Sequence, residues 1–384
     1  MTCPHCKQDA RCKGFRPRTA IGLLGAMRLS RHYYHCDHCH RGTFPWDGLL
    51  GLREHDLTPA ADEVVSLAGL LASFAEAAEK TLPVLCGVRV SESTVERATE
   101  GAGARLADAL ADGQTFGKPG NWAWHKDAEG QTVAYVLADS TGVGMQGPNG
   151  AEAEGRMANV AVIANPVPED RSRWADPSQQ KPPPWQARYL AAMRPWAEMG
   201  ATVRRQGGQV GMNQADRWVA LADGANGLDD FLKKNFPRVG VVILDFWHPT
   251  EYLGRLAKAL HPGDEAASAA WLGQWCHRLK HEGGQAVLDG LRALPVRGSA
   301  ARACREEVVT YFSNQVQRMD YPAYQAKGWC IGSGVVESAC KRVVGQRLKG
   351  GGMRWGEDGA DALCHLRALF LSDKGQWDAF WHPN

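Results

Sequence analysis

Three short strand-forming runs, far apart along the chain, each stop at an aspartate: Val133 to Ala138 before Asp139, Arg217 to Ala222 before Asp223, and Val239 to Leu244 before Asp245. Runs that are apolar on both faces fit the central strands of a sheet covered on its two sides. Aspartate commonly closes a strand and opens a turn, so each acid taken singly reads as a turn former as readily as a ligand. Repetition separates the two readings. Buried strands that each deliver a carboxylate to the same end of one sheet gather their acids at a single edge.

The elements between these runs set the topology. Met157 to Ala164 and Gln186 to Ala191 read as two further strands, and Trp196 to Arg205 and Leu228 to Asn235 as helices. The turn Gly147, Pro148, Asn149, Gly150 joins the first strand to the second, and Asn165 to Trp185, dense in proline and charge, reads as a surface loop. Three consecutive strands, then helix, strand, helix and strand, is the order of an RNase H-like α/β domain. Its mixed five-stranded sheet, flanked by helices, has the first and fourth strands as neighbours, which predicts Asp139 beside Asp223. Pro249 to about Asp320 reads as a helical insertion with Trp271, Trp275, Leu279, Leu288 and Leu291 as core candidates and no sharp chemical motif.

A third informative stretch, Trp329 to Trp355, places a Gly-Ser-Gly loop before a helix that begins near Val335, with Glu337 in its first turn. Cys340, Val344 and Leu348 recur at helical spacing and are expected in the core, leaving Lys341, Arg342 and Arg347 at the edge. Lys349, three glycines and Arg354 follow as a basic loop suited to a sugar-phosphate backbone. A glutamate in a first turn is often only a partner of the helix dipole.

The chain is 384 residues long with net charge +2, so no global field argues for nucleic acid and the case rests on local clusters. No stretch approaches the unbroken apolar run of a membrane span, and the start lacks a secretion signal, so a cytoplasmic protein is expected. Eleven cysteines in such a chain point to metal binding plus buried thiols. Cys3-x-x-Cys6 and Cys36-x-x-Cys39 flank a hairpin-like segment, the spacing of a four-thiolate structural zinc site in a ribbon too small to bury its own core. His5, His35, His38, His40 and Cys12 are rival ligands, and Arg16, Arg18, Arg28, Arg31, His32 and Arg41 surround the site as phosphate contacts or as a solvated face.

Thr58 and Pro59 open a helix to about Leu71, Ser73 with Glu76 caps a second, and Ser91 or Ser93 caps a third after the turn at Gly87. Helix, glycine turn and capped helix, exposing Ser91, Ser93, Thr94 and Arg97, is the layout of a helix-turn-helix, although Pro83 is awkward for the second helix. The chain thus divides into a zinc ribbon (1–50), a helix-turn-helix-like unit (51–115), a first part of the core (130–248), the insertion (249–328) and a last part of the core (329–372).

Three acids meeting at one sheet edge are what two-metal phosphoryl transfer needs: hard oxygen ligands for two Mg2+ or Mn2+ ions roughly 4 Å apart, with nearby Lys and Arg to position an anionic strand. CPHC, CDHC preceded by RHYYHC, FPWDGLLGL, LADSTGV, LADGANGL, LDFWH and GSGVVESACKRVVGQRLKGGGMRW together resemble the DDE transposases of bacterial insertion sequences, most closely the ISKra-type branch related to the Mutator-like superfamily. The resemblance implies Asp139, Asp223 and Glu337 as the catalytic, magnesium-binding triad, with Asp245 and His248 as an Asp-x-x-His motif; a rival alignment makes Asp245 the second acid. It further implies terminal inverted repeats and target DNA as partners, a homo-oligomer on DNA, and a location on the bacterial nucleoid when bound. Two other functions remain open on the residues alone: a zinc-dependent DNA-binding regulator on a degenerate transposase body, and an RNase H-like nuclease without strand transfer.

Overall fold

The computed structural model describes residues 1–52, 55–148, 151–165, 186–224, 227–332, 334–372 and 375–383, and the side chains of Glu152, Val335, Val336 and Glu337 fall outside that description. The segment read as a surface loop therefore lies outside the described residues from 166 to 185, as do Asn149 and Gly150 of the first hairpin turn.

At the N-terminus β1 (Ala10–Gly22) and β2 (Gly25–Cys36) form a long antiparallel hairpin, with β3 (Gly42–Thr43) on the far side of β2. One side of the hairpin is anchored. Ala20 is fully buried, Ile21 pairs with Leu57, and Arg18 and Arg31 both reach Asp47. Those two arginines hold the ribbon together, which removes them from the set expected to contact phosphate.

The helical unit follows its caps. The Thr58 hydroxyl accepts from Ala61 N at the start of helix Pro59–Leu71, Ser73 accepts from Glu76 N, and Ser91 accepts from Thr94 N at the start of helix Glu92–Ala111. Each such cap satisfies an orphan N–H and stabilises by about 1 kcal/mol. Pro83 does not break the second helix. A π turn at Ala77–Thr81 widens the backbone just ahead of Leu82–Cys86, where the proline ring presses on the carbonyl four residues before it. Gly87 then ends the helix in the left-handed region at φ 70°.

The main sheet has five strands in the order β6-β5-β4-β7-β8: β4 (Val133–Gln146), β5 (Glu152–Asn165), β6 (Gln186–Ala192), β7 (Arg217–Ala222) and β8 (Val239–Leu244). β4 pairs antiparallel with β5 and parallel with β7, and β7 pairs parallel with β8. One expectation fails here. β4 does not end at Asp139 but runs seven residues further to Gln146, because its antiparallel partner β5 is long enough to pair with it on past the end of β7.

Alternation along β4 divides the core. Ala134, Val136 and Ala138 face the helices Trp196–Gln209 and Leu228–Asn235, while Val133, Tyr135 and Leu137 face the other side. Fully burying a side chain such as Leu137 stabilises by about 1.5–3 kcal/mol. The second face is covered by residues of the stretch Gly334–Leu348, by helix Glu357–Leu371 and by the insertion. Leu279, Leu288 and Leu291 of the insertion are buried in that same core and Trp271 and Trp275 pack partly buried against it, so the insertion shares the sheet's core instead of building its own. Among the described residues no helix is long and apolar enough to cross a membrane.

Candidate acid site and four-cysteine centre

Register places the acids. Leu137 lies opposite Leu221 and Ala138 opposite Ala222, so the next residues on these adjacent strands are Asp139 and Asp223; Ala222 in turn lies opposite Leu244, which brings Asp245 next. Three aspartates thus form one row across neighbouring strands spaced roughly 4.8 Å apart. They also share a face. Each follows, by the two-residue period, side chains of the same core: Leu137 before Asp139, Leu221 before Asp223, Ile243 before Asp245. Asp223 directly follows the strand hydrogen-bonded to that of Asp139, while Asp245 follows the strand one further out, 6% exposed, its carboxylate accepting from Trp247 N at 3.3 Å.

The row is electrostatically tense. Asp139 is half-buried, and burial raises its pKa; the Ser140 N–H, 2.7 Å from Oδ1, lowers it, and the neighbouring Asp223 charge raises it again. His248 stands at the open side with Nε2 3.6 Å from Asp223 Oδ2 and Nδ1 3.9 Å from Glu251 Oε2. The Asp223 carboxylate raises the His248 pKa against the opposing effect of burial, so imidazolium and carboxylate favour each other's charged form.

The stretch Gly334–Leu348 reaches the row through Cys340, whose thiol donates to Asp139 Oδ2 at 3.4 Å. Burial and then the Asp139 charge push the Cys340 pKa up, which keeps the thiol a donor. Glu337 lies three residues earlier, within helix Gly334–Ala339, and its side chain is outside the described residues. A π turn at Cys340–Gly345 interrupts this helix, yet Cys340, Val344 and Leu348 are all buried as their spacing predicts. Lys349 donates to Thr141, two residues beyond Asp139 on β4, and Lys341, Arg342 and Arg354 are exposed.

Arg347 is a correction. Only 3% exposed, it donates to Gly69 O at 2.8 Å and its guanidinium lies 4.6 Å from the Phe74 ring centre and 4.9 Å from that of Trp355. It joins the helical unit to the sheet domain and is not available to a strand of DNA. Its spacing from Leu348 marks only one face of a helix, and the helical unit packed against the other was invisible in the pattern.

The N-terminal centre matches its spacing. The ligand atoms of Cys3, Cys6, Cys36 and Cys39 all lie within 4.8 Å of one another, close enough for one ion to take all four. Two similar knuckles build it. Lys7 N donates to Cys3 O at 3.0 Å and His40 N to Cys36 O at 2.9 Å, and Lys7 and His40 hold left-handed φ of 64° and 55°. The set that closes is all cysteine. Cys12, a rival by sequence, is exposed and instead lies 3.5 Å from His32 Nδ1. The ribbon's own core is little more than Cys3, Ala10 and Cys36.

In the helical unit Ser93 and Arg97 are exposed, with Arg97 Nε donating to Ser93 O at 3.0 Å, while the Ser91 hydroxyl is engaged as the cap and Thr94 is half-buried. Sequence reasoning missed what the insertion does for the acid row. Tyr321 donates to Leu244 O at 3.0 Å and Gln315 to Gly224 O at 3.4 Å, bracing the ends of the strands that lead into Asp245 and Asp223. No periodicity marks such contacts, which are set by tertiary packing. No protein-family model matches this chain, and no curated protein sequence matches it.

Proposed function

We propose that this chain is a DDE-type DNA transposase with an RNase H-like catalytic domain. One observation carries the reading: Asp139 and Asp223 directly follow Ala138 and Ala222, the last paired residues of two adjacent parallel strands, on the face covered by the helical stretch that contains Glu337. The donor set suits magnesium or manganese, since the carboxylates offer hard oxygens and the pKa of one, Asp139, is raised by burial and further by the Asp223 charge, a repulsion that a divalent cation offsets. Asp139, Asp223 and Glu337 would hold the ions, which supply charge stabilisation at the phosphate and activate the attacking oxygen. Asp223 is preferred to Asp245 as the second acid because its strand is the direct neighbour of β4.

The chain's own residues then have distinct tasks. His248 orients the Asp223 carboxylate, whose charge in turn raises the His248 pKa. Lys341, Arg342, Lys349 and Arg354 balance the phosphates of the bound strand. In the first step water adds to phosphorus as the phosphodiester bond breaks, leaving a free 3′-hydroxyl; in the second that hydroxyl displaces an alcohol from target DNA. A structural zinc in the ribbon and the exposed start of helix Glu92–Ala111, with Ser93 and Arg97, support recognition of terminal inverted repeats by a homo-oligomer. Residues 1–50 hold eight Lys and Arg against three Asp in a chain whose net charge is only +2, so positive charge is concentrated where DNA contact is proposed.

The test is cleavage of a duplex carrying the DNA that flanks the gene. Asp139→Ala and Glu337→Gln should abolish magnesium-dependent nicking and leave binding intact, and nicking that survives either change sinks the assignment. Joined products distinguish a transposase from a nuclease that only cuts.

A further inference from the structure

Trp247 is 56% exposed, an unusual place for the largest apolar side chain, and it adjoins the acid row on both sides in sequence, through Asp245 and His248. Its backbone N–H is held by Asp245 Oδ1 at 3.3 Å at the start of helix Trp247–Leu260. The indole does not dangle. It packs edge-on against Phe246 (ring centres 5.8 Å apart, 76° between planes), and Phe246 packs edge-on against Tyr321, which is fully buried (5.2 Å, 79°). On another side, a Cβ added to Gly332 would sit 3.4 Å from the indole Nε1, so the loop leading into helix Gly334–Ala339 runs close beside the ring. A rigidly backed indole with more than half its surface open, beside the Asp245 carboxylate and next in sequence to His248, offers a flat apolar platform for a flat partner.

We propose that Trp247 stacks on an unpaired nucleobase next to the reacting phosphate. This deepens the nucleic-acid reading above and rests on it. Duplex bases are already stacked on each other, so the platform selects a strand that is frayed or single-stranded at the cleavage point. The indole acts through the flat face of the base and is tolerant of its identity; it orients the strand and transfers no proton.

The experiment measures binding of the full chain, in calcium to block cleavage, to a single-stranded thymidine 15-mer and to a 15-mer of the same charge made of abasic sites. Trp247→Ala should weaken binding of the thymidine strand roughly tenfold, the loss of a single base stack, and leave the abasic strand unchanged. Trp247→Phe should keep most of the affinity. Equal losses on both strands, or none on either, overturn the stacking role while leaving Asp139-dependent cleavage as the separate measure of the parent reading. Failure of the unaltered chain to bind either strand also overturns the stacking role, and the parent reading then stands or falls on duplex cleavage alone. Because the side chain is largely exposed, unchanged thermal unfolding of Trp247→Ala is expected and excludes misfolding as the cause.

Discussion

The four-cysteine centre and the acid row both bring together groups far apart along the chain, but they are supported in opposite ways. In the ribbon the cluster is nearly the whole core, with Cys3 and Cys36 buried beside Ala10 and little else. In the sheet domain the acids sit at the rim of a large core that includes Val133, Tyr135, Leu137, Leu221 and Ile243. A metal in the first place would therefore be folding energy, and on the reading proposed above a metal in the second would be chemistry. The same element of design, side chains converging on a point, has a different physical meaning according to what surrounds it.

The largest effect should come from breaking the cysteine quartet. Cys36→Ser, or prolonged chelation, should strip the zinc that the four thiolates are proposed to hold and expose residues 1–50 to protease while the fragment carrying the five-stranded sheet survives digestion. Structural zinc sites of this kind contribute on the order of 10 kcal/mol, far more than the few buried side chains here can replace. Metal analysis with limited proteolysis checks it, and a ribbon that stays resistant after the metal is gone would break the contrast.

Next in size is the reverse case. Asp139→Asn should lower cleavage by roughly a thousandfold, the scale of several kcal/mol of lost charge stabilisation, with no loss of thermal stability. The Asp139 pKa is raised by burial, so its charged form gains nothing from the fold that an amide forfeits. A melting point that falls along with activity would make the aspartate a structural group and erase the difference between the two centres.

Much of this contrast was legible in the sequence because it depends on local rules. The caps at Thr58, Ser73 and Ser91 and the helix Leu228–Asn235 follow from short-range chemistry and periodicity, and they stand where expected. The adjacency of Asp139 and Asp223 follows from element order plus the run of each strand to its acid. What escaped is set by partners distant in sequence. β4 continues past Asp139 because of β5, Arg347 turns inward because Gly69 and Phe74 wait for it, and the Cys340 thiol meets Asp139 across about two hundred residues of chain. A hydrophobic pattern says that Cys340 is inside but not that it touches a carboxylate.

Between the two centres lies the seam of helical unit and sheet domain, where buried arginines accompany an apolar cluster of Leu70, Ala102, Leu106, Leu366 and Leu369. Arg347 is the test of its strength. Burial and the nearby Arg367 push its pKa down to about 10, and Arg367 itself donates to Leu70 O at 2.8 Å and Val343 O at 2.7 Å. Arg347→Ala leaves Gly69 O without its donor and two rings without their partner, and should cost about 2–3 kcal/mol in denaturant unfolding. If the seam were incidental, the loss would be within the scatter of a surface change, below about 0.5 kcal/mol.

The smallest effect is a matter of sign. Glu100 lies at the same seam, against Gly359 of helix Glu357–Leu371, and burial, then the Glu96 charge, push its pKa up from 4.5 to about 7, with Arg347 opposing. Its folded pKa is thus above its unfolded one, so the folded state holds the proton more tightly. The stability this contributes is complete below about pH 4.5 and is lost as pH rises through about 7. Glu100→Gln, which cannot ionise, should therefore raise the melting temperature at pH 8 and leave it unchanged at pH 4. A stabilisation equal at both values would mean that the amide improves packing at the seam, and a loss at pH 8 would mean that Arg347 outweighs burial there. In either case the charge of Glu100 would not be what loosens the contact between the helical unit and the sheet.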